Sequence, residues 1–415
     1  MRLYGNENIL TRDAQQCVFT KDTIMAQKNS LDEKLIRIIY ILVAILLGAA
    51  VTLGLTYFGK FADGKVSSLF DKVGDMTRTA ETKTIVQHRR NERLQHLQWF
   101  NSFKSQMDSL RNPKRLLLGA HDNHCTESFE SIVELEDSLR TVFPLIHMYC
   151  AWGSKPEHQF PKLQVKAIIN MGSIPVITWE PWLTEFDSKD YPKLRKKELR
   201  STNGLTDIAK GMYDAYINQW AQDVKAIEQP VFIRLGHEMN DPYRYPWGPQ
   251  NNVPEEYVNA WRHVHDVFVK QGATNVLWVW NPHLSYGYFD LYYPGKKYVD
   301  YVGADVLNFG TVASWSQWYS FNDIFGSHYK ELEAFGKPIM IAEFSSLACG
   351  GDRKKWFTEA LSNFPQKYPA VKAFMFFHVS DDKTTTMQSV SWSFKYDTAC
   401  THVITKEIMA WSGIK

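Results

Sequence analysis

Two glutamates stand in settings suited to proton transfer and nucleophilic attack. Glu238 lies in IRLGHEMND and Glu343 in PIMIAEFSS, each beside a short β-branched apolar run. Two carboxyl groups flanking a glycosidic bond are the basic apparatus of its hydrolysis: one protonates the leaving oxygen while the other attacks carbon or activates water. A single strand-end carboxylate also caps helices or pairs with arginine, so the argument rests on the pair. His237, directly before Glu238, invites a zinc reading through the HExxH pattern. That pattern fails, because the fourth residue after His237 is Asp241. The five cysteines, at 17, 125, 150, 349 and 400, show neither CxxC spacing nor a Cys/His cluster, so no metal and no cofactor is expected. His237 reads instead as a hydrogen-bonding group in a substrate cleft or to the nucleophile, with a purely structural histidine as the alternative.

Elements must bring these groups together. From Arg115 onward, short apolar runs alternate with longer amphipathic segments, which is the pattern of repeated βα units around a parallel sheet. Strands are predicted at Arg115–Gly119, Leu145–Cys150, Pro175–Trp179, Val231–Leu235, Val276–Trp280, Val299–Val306, Pro338–Ala342 and Val371–Phe377. Eight runs, nearly all followed by polar residues, predict a (β/α)8 TIM barrel whose site lies at the C-terminal ends of its strands. Glu238 follows the fourth run and Glu343 the seventh, so both face one cleft.

Ahead of the barrel, Ile38–Phe58 (IIYILVAILLGAAVTLGLTYF) carries no charge over 21 residues, enough for one transmembrane helix. It lies too far from the start for a cleavable signal peptide. The predicted organisation is a cytoplasmic tail at 1–34, a transmembrane signal anchor at 35–58, a helical stalk at 59–110 and the barrel at 111–415. This expects a single-pass membrane protein with its barrel in the periplasm or outside the cell. With 47 basic against 45 acidic residues the formal charge is +2, which gives no electrostatic reason to expect a nucleic-acid partner. The four cysteines beyond the apolar segment are compatible with one or two disulfides or with free thiols, and nothing in the sequence sets an oligomeric state.

The run FIRLGHEMNDPYRYPWG resembles the acid/base segment of glycoside hydrolase family 26. Further matches follow in the family's order: TWEPW at 178–182, NVLWVWNP at 275–282, YYPGKKYVDYVGAD at 292–305 and KPIMIAEFSS at 337–346. The resemblance covers Arg115 to Asp397. It implies hydrolysis of a β-linked polysaccharide with net retention, Glu238 as acid/base, Glu343 as nucleophile, carboxyls ~5 to 5.5 Å apart and no metal in the chemistry. Arg234 is placed to hold Glu343 ionised or to pair with another acid. Trp179, Trp182, Trp247, Trp280, Trp315 and Trp392 are candidate sugar platforms, and His121, Asn240, Asn281 and Asn308 candidate partners of sugar hydroxyls. One departure stands out: many members carry a tyrosine two residues after the aspartate of the sixth strand, and here Asp305 is followed at that spacing by Leu307. Leucine cannot donate the hydrogen bond that tyrosine would give the nucleophile, which keeps open an alternative, a carbohydrate-binding or scaffold protein with a weakened site.

Overall fold

The computed structural model describes residues 35–51, 76, 80, 84 and 87–412, apart from 125–128 and 387. The chain divides into two compact units, Met1–Ile85 and Val86–Lys415. In the first, residues 35–51 form a helix whose Leu35, Ile38, Leu42 and Leu46 side chains are exposed. Among the described residues no helix is long and apolar enough to cross a membrane. The tail at 1–34, the end of the proposed anchor at 52–58 and most of the stalk lie outside the described residues.

The second unit is a closed parallel barrel in sequential order β1 to β8. The strands are β1 Leu117–His121, β2 Leu145–Ala151, β3 Ile174–Glu180, β4 Val231–Leu235, β5 Val276–Trp280, β6 Tyr301–Asn308, β7 Ile339–Ser346 and β8 Val371–Phe377. Strands 4, 5 and 8 match the sequence reading residue for residue. β1 and β6 run two residues further toward the mouth, and β7 extends to Ser346, so Glu343 sits within its strand. Polar residues there line the barrel and still pair as strand, which an apolar-run criterion misses.

Alternation along each strand sorts the side chains. The lower interior holds Leu117, Leu145, Val176, Phe232, Leu277, Tyr301, Met340 and Ala373 in one apolar cluster. Higher on the same faces the side chains turn polar: His147, Thr178 and Arg234 one pleat up, Asn281 and Asp305 two. This layering is the expected filling of a parallel barrel, with its upper layer given over to chemistry. Gly303 on β6 has no room for a Cβ beside the Asn281 side chain, so a glycine is required for that layer to close.

The stalk boundary needs correction. Leu97, Phe100 and Leu110 are fully buried and belong to the lower barrel cluster, and Arg93 is buried against Glu136, Met171 O and Ser173 Oγ. Residues from Val86 onward therefore belong to the barrel unit, because helices Gln98–Asn101 and Met107–Arg111 cover apolar side chains at the barrel floor. Among the described cysteines, Cys150, Cys349 and Cys400 are free.

Candidate active site

Glu343 is 7% exposed, and its Oε1 accepts two hydrogen bonds, from Arg234 Nη2 at 2.5 Å and from the Tyr149 hydroxyl. Oε2 takes none among the described residues. Arg234, wholly buried, uses its whole fork: Nε to Thr178 Oγ1 at 2.7 Å, Nη1 to Asp305 Oδ1 at 2.7 Å and Asn281 Oδ1 at 3.3 Å, and Nη2 also to the Tyr149 oxygen at 3.1 Å. Asn281 Nδ2 closes the circuit by donating to Asp305 Oδ2 at 2.9 Å. Burial opposes the charge on Arg234, yet the Asp305 and Glu343 carboxylates raise its pKa well above the ordinary value. Burial and the adjacent Glu343 charge raise the Tyr149 phenol well above its ordinary range, so it remains a donor.

Glu238 reaches the cleft by an unusual backbone route. The chain leaves β4 through Gly236 at φ 47° and then holds Glu238 itself at φ 52°, a left-handed conformation that costs a non-glycine residue energy and is concentrated at functional sites. Its amide donates to Asn281 O at 2.7 Å, which ties the strained turn to β5. Around the carboxyl, Arg244 Nη1 lies 3.5 Å from Oε2 and His283 Nε2 3.7 Å from Oε1. Glu238, Asp241 and His283 present ligand-type atoms within 4.8 Å of one another. His283 Nδ1, however, accepts from the Ser285 amide, which places the proton of a neutral ring on Nε2, facing Glu238 as a donor.

A third carboxyl shares the cleft. Glu180, at the end of β3, accepts from Trp182 Nε1 at 3.1 Å, and its pKa is pushed up to about 7, foremost by burial. The Trp182 bond and Arg234 act against that rise and the Glu343 charge adds to it. A carboxyl whose folded pKa is raised binds its proton more tightly folded than unfolded, so its contribution to stability is complete below the unfolded value near 4.5 and is lost as pH climbs toward 7. Glu180→Gln, which cannot ionise, is expected to flatten that decline and to be the more stable form at pH 8 by about 3 kcal/mol. Thermal unfolding of both proteins across pH 4 to 8 reads this, and parallel curves would refute it.

Several sequence-designated residues have other duties. Trp179 and Trp280 are fully buried because they point out of the barrel: Trp179 stacks on Trp220 at 4.4 Å, and Trp280 packs on Tyr293 and Phe335. Their inward neighbours are Thr178 and Asn281. Trp247 is 2% exposed, stacked on Tyr245 at 4.6 Å, and donates to His237 O. Trp392 is fully buried, with its indole N–H on Asp382. None of these four has a face open to a sugar. Asn240 spends its amide on His283 O, Gly287 O and the His283 amide, clamping the loop after β4 to that after β5. Asn308 is committed to Ser346 and to the Gly310 and Tyr319 amides, and Asn281 to the Arg234 circuit. His121 bonds His147 O and lies edge-on behind Tyr149. Trp182 is partly exposed and Trp315 is 58% exposed; these two retain a platform geometry. The sequence reading missed Tyr149, Glu180, Arg244 and His283. Alternation would have found the first two, since Tyr149 follows His147 and Glu180 follows Thr178 on the inward faces of β2 and β3.

A closed parallel barrel with two buried glutamates at the mouth ends of β4 and β7 defines the frame of a barrel glycoside hydrolase. Residues 163–350, within the barrel, match the glycosyl hydrolase family 26 domain. Over 263 residues the chain is 37% identical to endoglucanase H of Acetivibrio thermocellus, covering 61% of this chain and 27% of that protein. Over 172 residues it is 26% identical to a mannan endo-1,4-β-mannosidase of Bacillus subtilis, covering 39% of this chain and 43% of the relative. The chain thus spans less than half the length of either. In fold it resembles a β-mannanase of family 26 from Bacteroides ovatus, with a TM-score of 0.52 at 17% identity, covering 79% of this chain and 93% of that one.

Proposed function

We propose that this chain is a retaining glycoside hydrolase that cleaves a β-linked polysaccharide of the mannan or glucan type by double displacement. The observation that carries the reading is the asymmetry at Glu343: both donors bind Oε1, leaving Oε2 free to attack the anomeric carbon. Glu238, across the mouth, protonates the leaving oxygen and then takes a proton from the water that releases the glycosyl-enzyme. Arg234 and Tyr149, both donating to Oε1, hold the nucleophile aimed. Similarity to an endoglucanase and to a mannanase supports a β-1,4-linked backbone with glucose or mannose units.

The test is hydrolysis of β-mannans, β-1,4-glucans, mixed-linkage and β-1,3-glucans, with product anomers followed by NMR. The expected outcome is activity on one class with retained configuration. Inverted products would exclude the double displacement, and binding without hydrolysis would move the reading to a carbohydrate-binding role. That second reading drew on Leu307, but the hydroxyl missing from β6 is supplied at Glu343 by Tyr149 from β2. Tyr149→Phe is accordingly expected to lower kcat by about 10- to 100-fold, the value of one donor to a reacting carboxylate, with KM little changed. An unchanged kcat would assign Tyr149 to packing alone.

The uncharged run at 38–58 supports an anchor that tethers the barrel at the cell envelope, in the periplasm or outside, so that the enzyme meets surface or exported glycan. Carbonate extraction of membranes from expressing cells tests this, and release of the full chain into the soluble fraction would refute it.

A further inference from the structure

The Arg234 circuit accounts for Glu343, and Arg244 and His283 surround Glu238, but Glu180 has no task in the double displacement. Its surroundings are those of a binding group. One oxygen, Oε2, is held by Trp182; the other, Oε1, has no hydrogen bond among the described residues and lies 4.0 Å from His237 Nδ1. That nitrogen is buried and has no partner, in a residue only 2% exposed. The other ring nitrogen, Nε2, meets the Tyr245 hydroxyl at 3.0 Å. Burial lowers the His237 pKa well below the ordinary value, and Arg234 and Arg244 add to this, so the ring is neutral and carries one N–H. With the Tyr245 hydroxyl donating to Nε2, that N–H is on Nδ1 and points toward Glu180.

A separation of 4.0 Å is too long for a direct hydrogen bond and suits a single bridging oxygen at about 2.7 to 2.9 Å from each atom. A buried polar nitrogen left alone is costly, and a buried carboxyl without an ion-pair partner is a feature of functional sites. Trp182 lies edge-on to Trp247 at 5.4 Å, and Trp247 stacks on Tyr245, so rigid rings hold the donor–acceptor pair in place.

We propose that Glu180 and His237 form a hydroxyl-reading subsite, in which one hydroxyl of the sugar at the cleavage point donates to Glu180 Oε1 and accepts from His237 Nδ1. Glu180 is then a specificity-determining residue: it selects sugars that place a hydroxyl in that gap and rejects epimers and deoxy analogues that do not. This rests on the glycosidase reading above. A site built around a buried polar pair discriminates strongly against a missing hydroxyl, because the analogue leaves both partners unsatisfied.

The experiment measures kcat/KM of the full chain on aryl β-glycosides of the accepted sugar, intact and lacking one hydroxyl at each ring position in turn, for wild type and Glu180→Ala. Wild type is expected to discriminate against one deoxy position by about 10²- to 10⁴-fold, and Glu180→Ala to lose most of that discrimination while its other deoxy ratios stay unchanged. A uniform loss across all substrates would mean that the gap holds a structural water, and would overturn the proposal. If wild type hydrolyses none of the glycosides, the glycosidase reading falls first. The same analogues are then titrated by calorimetry, where one deoxy position that costs affinity in wild type but not in Glu180→Ala upholds the subsite and its absence refutes it.

Discussion

Glu343→Gln is expected to lower kcat on polymer by about 10⁴-fold or more while leaving glycan binding within a few-fold of wild type. The magnitude is that of deleting a covalent nucleophile whose partners remain in place. Glutamine keeps the shape of the carboxylate, and its carbonyl oxygen can still accept from Arg234 and Tyr149, so the mouth of the barrel is preserved. What it loses is the free Oε2 lone pair that would bond to the anomeric carbon. Glu238→Ala gives the contrasting signature. On polymer it is expected to cost about 10²- to 10⁴-fold, the usual worth of general acid catalysis, whereas an aryl glycoside whose leaving group needs no proton should be cleaved in the first step almost as fast as by wild type and accumulate as glycosyl-enzyme. Stopped-flow release of the aryl group separates the two: a burst in Glu238→Ala and none in Glu343→Gln assigns the roles, and a burst in the glutamine variant would reverse them.

The barrel, and the placing of Glu238 and Glu343 at its mouth, were legible in the sequence for one physical reason. A parallel strand buried on both faces must be an apolar run, and eight such runs, each ended by polar residues, leave little choice of architecture. Strands 4, 5 and 8 follow that rule to the residue. The rule weakens where function intrudes: β6 continues past Val306 to Asn308 and β7 through Glu343 to Ser346, with register shifts at Ala304/Asp305 and between Ile341 and Phe344, and a hydrophobicity reading stops at Val306 and at Ala342. The same blindness explains the tryptophans. A strand-end position in a matched motif makes a tryptophan a candidate sugar platform, yet period-2 alternation puts Trp179 and Trp280 outside the barrel once Thr178 and Asn281 are assigned inward. Tyr149 escaped because it lies in no run of recognisable chemistry, and Glu180, although within TWEPW, because that run drew attention to its tryptophans; the meaning of each comes from neighbours distant in sequence. The stalk misled for the opposite reason. Helices Gln98–Asn101 and Met107–Arg111 are too short to show a periodic face, so only the structure reveals that Phe100 and Leu110 seal the barrel floor.

Arg234 is the residue on which both stability and catalysis depend most heavily outside the carboxylates. It lies 2.7 Å from Asp305 and 2.5 Å from Glu343 with no exposed surface, so its removal strands two buried acids beside each other. Breaking a buried ion pair from one side costs about 3 to 5 kcal/mol, because the surviving charge is uncompensated; Arg234→Met is expected to lose that much in urea unfolding. Arg234→Lys should recover only part of it, since a single ammonium cannot reach Thr178, Asn281, Asp305, Tyr149 and Glu343 at once. Both variants are also expected to lower kcat/KM, because neither side chain reproduces the guanidinium fork that donates to Glu343 Oε1 and to the Asp305 carboxylate. Pairing Arg234→Met with Asp305→Asn removes the repulsion together with the cation and is expected to restore stability without restoring turnover. Recovery of both in the double variant would show that Arg234 serves only to neutralise Asp305, and that Tyr149 alone suffices to aim the nucleophile.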